Sequence, residues 1–239
     1  MRGAFCVEGK KWNRSNWPCS RVWRCWRRVR RRLADIGTDH GYLPVYLLQQ
    51  GHIRSAIAAD IGAEPLEHAR RTAEEYGVTG LELRLCDGLA DIHPDEVDVI
   101  AIAGMGGETI IHILENAPWT RDGVHQLLLQ PMTKAPDLRR WLSVSGYHFT
   151  GERLVWDKGH LYPVLCVQGG SCPSLTEGQL LCGIKLAGDP LYGDYLSQHI
   201  EKLRKTAAGL RRRRQANPAR RAAALELLAN KLEKERDTL

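Results

Sequence analysis

From Leu33 onward, short apolar runs alternate with amphipathic stretches over connections of a few residues, and few folds accept that pattern. The runs Leu33–Ile36, Ser55–Ala59, Leu81–Leu85, Val97–Ala103 and Gln126–Gln130 have the length and composition of strands. Helical patterns lie between them, near Leu43–Gln50, Glu64–Tyr76, Glu108–Ala117 and Ala135–Ser145. In the second of these, Leu66, Ala69, Ala73 and Tyr76 repeat at helical spacing, with Glu and Arg on the opposite face. Strand-helix alternation predicts a parallel sheet covered by helices on both faces. Two further apolar runs, Tyr147–Trp156 and Leu161–Val167, are joined only by Asp157-Lys158-Gly159-His160, which predicts an antiparallel hairpin closing the sheet. The expected fold class is therefore α/β, a Rossmann-like sheet of parallel strands with a terminal antiparallel hairpin.

In open sheets of this kind, ligands sit at the carboxyl ends of the strands near the point where the strand order reverses. Attention therefore falls on the residues that follow each strand. After the first comes Asp35-Ile36-Gly37-Thr38-Asp39-His40-Gly41-Tyr42. Gly37 and Gly41 lack a Cβ and let the backbone turn sharply against a ligand. The spacing is D-x-G-x-x-x-G, not the G-x-G-x-x-G of dinucleotide binders. A pyrophosphate favours bare amides at a helix N-terminus, whereas a sulfonium cofactor carrying an ammonium group favours carboxylates, here Asp35 and Asp39. The competing reading is a strand-to-helix turn with incidental acids. The second strand ends at Asp60, some 20 residues beyond the glycines, where an acid accepts hydrogen bonds from ribose hydroxyls. The third ends in Cys86-Asp87-Gly88, with a carboxylate where an adenine amino group would lie. Helix capping accounts for either Asp60 or Asp87 alone; an acid at all three strand ends is harder to assign to chance. The fourth runs into Ala103-Gly104-Met105-Gly106-Gly107-Glu108, whose glycines leave room for a flat base, or simply make a turn before a helix. These positions give a predicted cofactor set of Asp35, Gly37, Asp39, Gly41, Asp60, Asp87, Gly88 and Ala103. Asp39, His40, Tyr42, Gly104 and Met105 form a predicted acceptor-positioning set.

The strings ADIGTDHGYLP, AAD, CDGL, IAGMGG, LLQP, GYHF and LYPVLCV, in this order, resemble the bacterial tRNA (adenine-22-N1)-methyltransferase family over residues 33–239. The resemblance implies a class I methyltransferase fold, S-adenosyl-L-methionine as cofactor, N1 of a tRNA adenine as acceptor, and a C-terminal helical appendage. Arg27–Arg32 stand where the family carries a helix and an apolar lead-in, and Tyr162-Pro163 where it often carries an aromatic followed by an acid.

Charge is distributed in blocks. The net +6 of the whole chain hides an acidic middle, with 10 Lys/Arg against 19 Asp/Glu over residues 33–174. Two basic ends flank it: 11 against one over residues 1–32, and 13 against 8 over residues 175–239. Residues 1–32 also hold Trp12, Trp17, Trp23 and Trp26 with no periodicity. They read either as an arm stacking on bases and phosphates, or as a disordered or non-native leader set apart from a methyltransferase domain at 33–170. The C-terminal segment, 186–239, carries Leu196, Ile200, Leu203, Ala207 and Leu210 in a coiled-coil-like seam. Asn217-Pro218 then reads as a cap, and Leu225, Leu228, Leu232 and Leu239 as a second stripe. Two antiparallel helices with an arginine-rich tip are predicted. Lys202, Arg204, Lys205 and the run Arg211, Arg212, Arg213 and Arg214 are the candidate tRNA phosphate contacts; a solvated face or a dimerisation hairpin is the alternative.

No run approaches the ~20 apolar residues of a membrane span, and no secretory signal precedes the domain. The seven cysteines include no C-x-x-C pair and show no zinc-finger spacing, so reduced cytosolic thiols and no structural metal are expected. The expected protein is cytoplasmic, a monomer or weak dimer. Neutral adenine N1 carries its own lone pair, so no general base is assigned. Competing functions are methylation of ribosomal RNA, protein or a small molecule, and a catalytically silent RNA-binding protein on the same scaffold.

Overall fold

The computed structural model describes residues 31–157, 159–184, 186–212 and 216–239. The tryptophan-rich segment before Arg31, together with Arg213 and Arg214, lies outside the described residues. The chain divides into two compact units, with the boundary between Pro173 and Ser174.

The first unit is a seven-stranded sheet. Its strands are β1 (Arg31–Ile36), β2 (Ile53–Asp60), β3 (Leu81–Leu85), β4 (Val99–Gly106), β5 (Gln126–Thr133), β6 (Tyr147–Asp157) and β7 (His160–Gly169). The spatial order is β3-β2-β1-β4-β5-β7-β6. The first five are parallel, and β7 runs antiparallel between β5 and β6. This is the mixed Rossmann-like sheet with a closing hairpin that the apolar pattern predicts. Four helices flank it: α1 (Tyr42–Gln49), α2 (Ala63–Glu75), α3 (Gly107–Glu115) and α4 (Ala135–Val144). The order reverses between β1 and β4, so the loops after these two strands diverge and leave a crevice at their carboxyl ends.

Alternate residues of the central strands point to opposite faces. Leu33 of β1, Val99 and Ala101 of β4 and Leu128 of β5 meet Leu43 and Leu47 of α1 in one continuous core. Several strand boundaries differ from expectation, two of them beside the site. β1 starts two residues early because Arg32 donates both main-chain and side-chain hydrogen bonds to the Asp98 carboxylate at 2.8 Å. Arg31 reaches Gln126 at 2.9 Å, tying the same strand start to β5. β4 continues through the glycines to Gly106 instead of turning after Ala103, with register irregularities around Met105 opposite Pro131.

The second unit holds α5 (Glu177–Cys182), α6 (Tyr192–Arg211) and α7 (Ala216–Arg236). α5 starts at a capping box in which Thr176 and Gln179 exchange side-chain and backbone hydrogen bonds. α6 and α7 form the long helical pair. Leu196, Ile200 and Ala207 are buried on α6, and Ala222, Ala229 and Leu232 on α7. The α7 stripe predicted from leucines alone is thus partly wrong. Ala222 and Ala229 sit seven residues apart in the seam, and Leu239 lies beyond the helix end and is exposed. Asn217-Pro218 fall inside α7 as described and not ahead of it.

Candidate active site

The crevice at the switch point opens into a cavity of about 500 Å³, within the roughly 300–1,000 Å³ typical of small-molecule sites. Its walls come from the carboxyl ends of β1, β2, β3 and β4 and from one face of α3. All the predicted cofactor and acceptor positions, from Asp35 to Met105, line this one cavity.

Asp35 is the deepest carboxylate, at the end of the central strand and 8% exposed. Loss of water pushes its pKa up to about 6, the neighbouring Asp60 adds to the rise, and the Thr38 hydroxyl opposes it. The buried Thr38 Oγ1 closes no well-formed hydrogen bond, although it lies near enough to Asp35 to temper that rise. The amides of Gly37 and Thr38 both donate to Ala59 O, at 2.8 and 3.1 Å, which stitches the β1 loop to the end of β2. Gly37 and Gly41 adopt φ of 75° and 64°. A Cβ on Gly41 would stand 2.8 Å from Ala69 Cβ of α2, so this glycine is required by close approach as well as by its backbone.

Asp60 is partly occupied: its Oδ1 accepts the Gly62 amide at 2.7 Å at the entry to α2. This turn contact, not a helix cap, accounts for one oxygen and fixes the direction of the other. Asp87 is exposed at the rim, beside the buried Cys86 and Gly88. The exposed Ile61, next to Asp60, offers an apolar surface at the same edge.

On the β4 side, Gly104 adopts φ 75°, and its amide donates to Gln130 Oε1 at 2.8 Å. Gln130 is 2% exposed, and its Nε2 donates in turn to Met132 Sδ at 3.3 Å. It sets the conformation of the glycine loop from beneath, a role the sequence showed only as a glutamine before Pro131. Replacing Gln130 by leucine leaves the Gly104 amide without its acceptor, a loss worth about 1–3 kcal/mol. Urea unfolding is expected to report that loss, with the activity proposed below falling alongside it.

Thr109, His112 and Ile113 also line the cavity. Their spacing of three and one puts them on one face of α3, and periodicity counted from Gly107 reveals them once the helix start is known. A different cluster forms at the β1 loop. His40 stacks on Tyr42 with ring centroids 5.1 Å apart, and also on His68 of α2 at 4.7 Å. His68 lies 28 residues away from His40, so no spacing rule brings them together.

A protein-family model described as a methyltransferase domain matches residues 21–165. A tRNA (adenine(22)-N(1))-methyltransferase of Bacillus subtilis strain 168 is 36% identical over 167 residues, covering 70% of this chain and 68% of that protein. This chain belongs to the tRNA (adenine(22)-N(1))-methyltransferase family. Solved structures agree with this membership. Streptococcus pneumoniae Sp1610, a candidate tRNA (m1A22) methyltransferase crystallised with S-adenosyl-L-methionine, superposes with a TM-score of 0.77 at 29% identity. The superposition covers 91% of this chain and 99% of that one. Mycoplasma capricolum TrmK in complex with S-adenosyl-homocysteine gives 0.71 at 26% identity, covering 91% and 96%. The family match begins at residue 21, inside the segment that composition alone had set apart.

In the second unit, two predicted phosphate contacts of this family member already have partners. Arg204 donates to Glu233 at 2.7 Å and to Asn230 at 3.4 Å across the helical pair. Arg211 lies 3.5 Å from Glu226. Lys202, Lys205 and Arg212 are exposed. Among the described residues, no helix is long and apolar enough to cross a membrane.

Proposed function

We propose that this chain transfers a methyl group from S-adenosyl-L-methionine to N1 of an adenine in tRNA, the adenine at position 22 on the strength of its kinship. One observation carries the reading: carboxylates from three adjacent strand ends, Asp35, Asp60 and Asp87, converge on a single cavity floored by glycines.

The residues present suit the cofactor. Gly37 holds a φ of 75°, a conformation that keeps a side chain off the turn beside the cavity. The Thr38 hydroxyl is buried with no well-formed partner, and Asp35 is a desolvated acid that a cation would stabilise in its charged form. In this reading Asp35 and Asp39 hold the ammonium end, the outward oxygen of Asp60 takes the ribose hydroxyls, and Asp87 takes the adenine amino group. Gly41, Gly88 and Ala103 give the close backbone approach. When bound, the cofactor supplies an electrophilic methyl on a sulfonium. His40, Tyr42, Gly104 and Met105 hold the acceptor base in line with it and exclude water. N1 attacks with its own lone pair, so the transfer needs neither a metal nor a base. An adenine in structured RNA must first leave its stack, and the rings of His40 and Tyr42 provide a surface for it.

Lys202, Lys205 and Arg212, with Arg211 through its loose ion pair, are the candidates for phosphate contact. Arg204 serves mainly to brace the two helices. A tRNA substrate is in keeping with a cytoplasmic enzyme.

The test is incubation with methyl-labelled cofactor and tRNA, followed by mass mapping of nucleosides. N1-methyladenosine is expected at position 22, and no label where another base occupies that position. Label elsewhere would move the acceptor. Bound tRNA with no bound cofactor would favour the silent RNA-binding alternative.

A further inference from the structure

Beside the cavity, three side chains with metal-binding donors meet in a way the methyl-transfer reaction does not call for. Asp39 and His40 follow β1, and His68 projects from α2. His40 Nε2 lies 3.8 Å from Asp39 Oδ2, and one donor atom from each of the three falls within 4.8 Å of the others. All three residues are half-buried. His68 Nδ1 is itself buried and has no hydrogen-bond partner, an expense for a ring nitrogen that a bound ion would remove.

We propose that Asp39, His40 and His68 form a binding site for a divalent transition-metal ion of the zinc class, and that an ion bound there inhibits methyl transfer. Two imidazoles and one carboxylate are a borderline donor set, which selects zinc, copper, nickel or cobalt over magnesium and calcium. Three protein donors leave a fourth position open to water. At metal–donor distances of about 2.0–2.2 Å, donors around a tetrahedral ion stand roughly 3.3–3.5 Å apart. Closing from within 4.8 Å asks for shifts of about an ångström, which side-chain rotation supplies. The stacking of His40 on His68 already holds the ring beside its would-be co-ligand.

The inhibitory part rests on the assignment of Asp39 and His40 to the reacting space. An ion that recruits them to His68 takes Asp39 away from the cofactor ammonium and His40 away from the acceptor base. Asp35 and Asp60, which hold most of the cofactor in that reading, are not ligands. His68 does not line the cavity, so its replacement removes no cavity-lining side chain, and the glutamine variant keeps a planar group against His40.

The site is tested by titrating the full chain with cobalt and following its visible absorption, with zinc as competitor, alongside His68→Ala and His68→Gln. The wild type is expected to bind one equivalent with a nitrogen- and oxygen-type spectrum that zinc abolishes. Both variants should bind at least about tenfold more weakly, a loss of 1.4 kcal/mol or more. In methylation assays, zinc should inhibit the wild type reversibly on chelation. Each variant should resist zinc when its rate is compared with its own metal-free rate. A wild type that takes up no cobalt, a variant with unchanged affinity, or equal zinc inhibition of all three would overturn the proposal. So would a thiolate charge-transfer band, which would place the ion on a cysteine such as the half-buried Cys172. If the wild type transfers no methyl group under any condition, the enzymatic reading falls, while the cobalt titration still decides the site.

Discussion

Replacing Asp35 by alanine or asparagine is expected to weaken S-adenosyl-L-methionine binding by thirty-fold or more while leaving the ligand-free protein at least as stable as the wild type. The first half follows from burial. A carboxylate that is 8% exposed and pairs with a cofactor ammonium loses about 2–5 kcal/mol when truncated, which is where the figure of roughly thirty-fold begins. The second half follows from the sign of the pKa change. The folded chain raises Asp35 from 3.8 to about 6, so between these values the native state binds the proton that the unfolded state releases. Stability from this group is therefore greatest below pH 4 and declines as the pH rises through 6, leaving at neutral pH a penalty on the order of 3 kcal/mol. Asparagine removes the charge and with it the penalty. Cofactor affinity in the wild type should run the other way, falling as the pH drops through about 6 and the carboxyl gains its proton. Calorimetric titration from pH 5 to 8, with thermal melts of both proteins, checks the two halves together. Unchanged affinity in the variant, or a strongly destabilised ligand-free variant, would contradict the assignment of Asp35 as the cofactor's buried anion.

Asp35, Asp60 and Asp87 were legible in the sequence because the parallel sheet converts chain position into spatial position. Each strand end lands on the same rim, and an acid just past an apolar run is visible by eye. The glycines of the β1 loop were legible for the same reason, since they follow a strand and precede a helix. His68 was not. It lies on a helix whose apolar stripe says only which face packs inward, and its meeting with His40 depends on how α2 sits against the β1 loop. Gln130 was hidden differently: a strand residue is read as core or surface, and nothing in the pattern marks one whose side chain satisfies the amide of another loop. The α7 seam was legible only in part: Leu232 is buried and Leu225 and Leu228 half-buried, but Ala222 and Ala229 also fill the seam, and their small size gives no mark in the pattern. The partner of Arg204 was hidden as well, because a sequence shows its charge but not the glutamate opposite, Glu233, 29 residues along the chain.

Glu152 shows the same limit at its sharpest and supports the largest stability effect expected of any single residue here. In β6, Tyr147 and Phe149 face inward, and strict alternation would then turn Glu152 outward. A register shift between Phe149 and Gly151 inserts one residue and reverses the parity, so Glu152 and Leu154 face inward instead. There Glu152 accepts from Arg139 Nε of α4 at 3.0 Å, with both side chains fully buried. Removing one partner strands the other charge in the core. Glu152→Ala or Arg139→Ala is accordingly expected to cost about 3–5 kcal/mol, a large share of the roughly 5–15 kcal/mol that holds a domain together. Replacing both together, as Arg139→Met with Glu152→Leu, removes the two charges and keeps the volume, and should recover most of that loss. Urea unfolding of the two single variants and the double variant closes the cycle. Additive losses in the double variant would mean that the pair is no pair, and that the bulge in β6 has some other cause than seating Glu152 against α4.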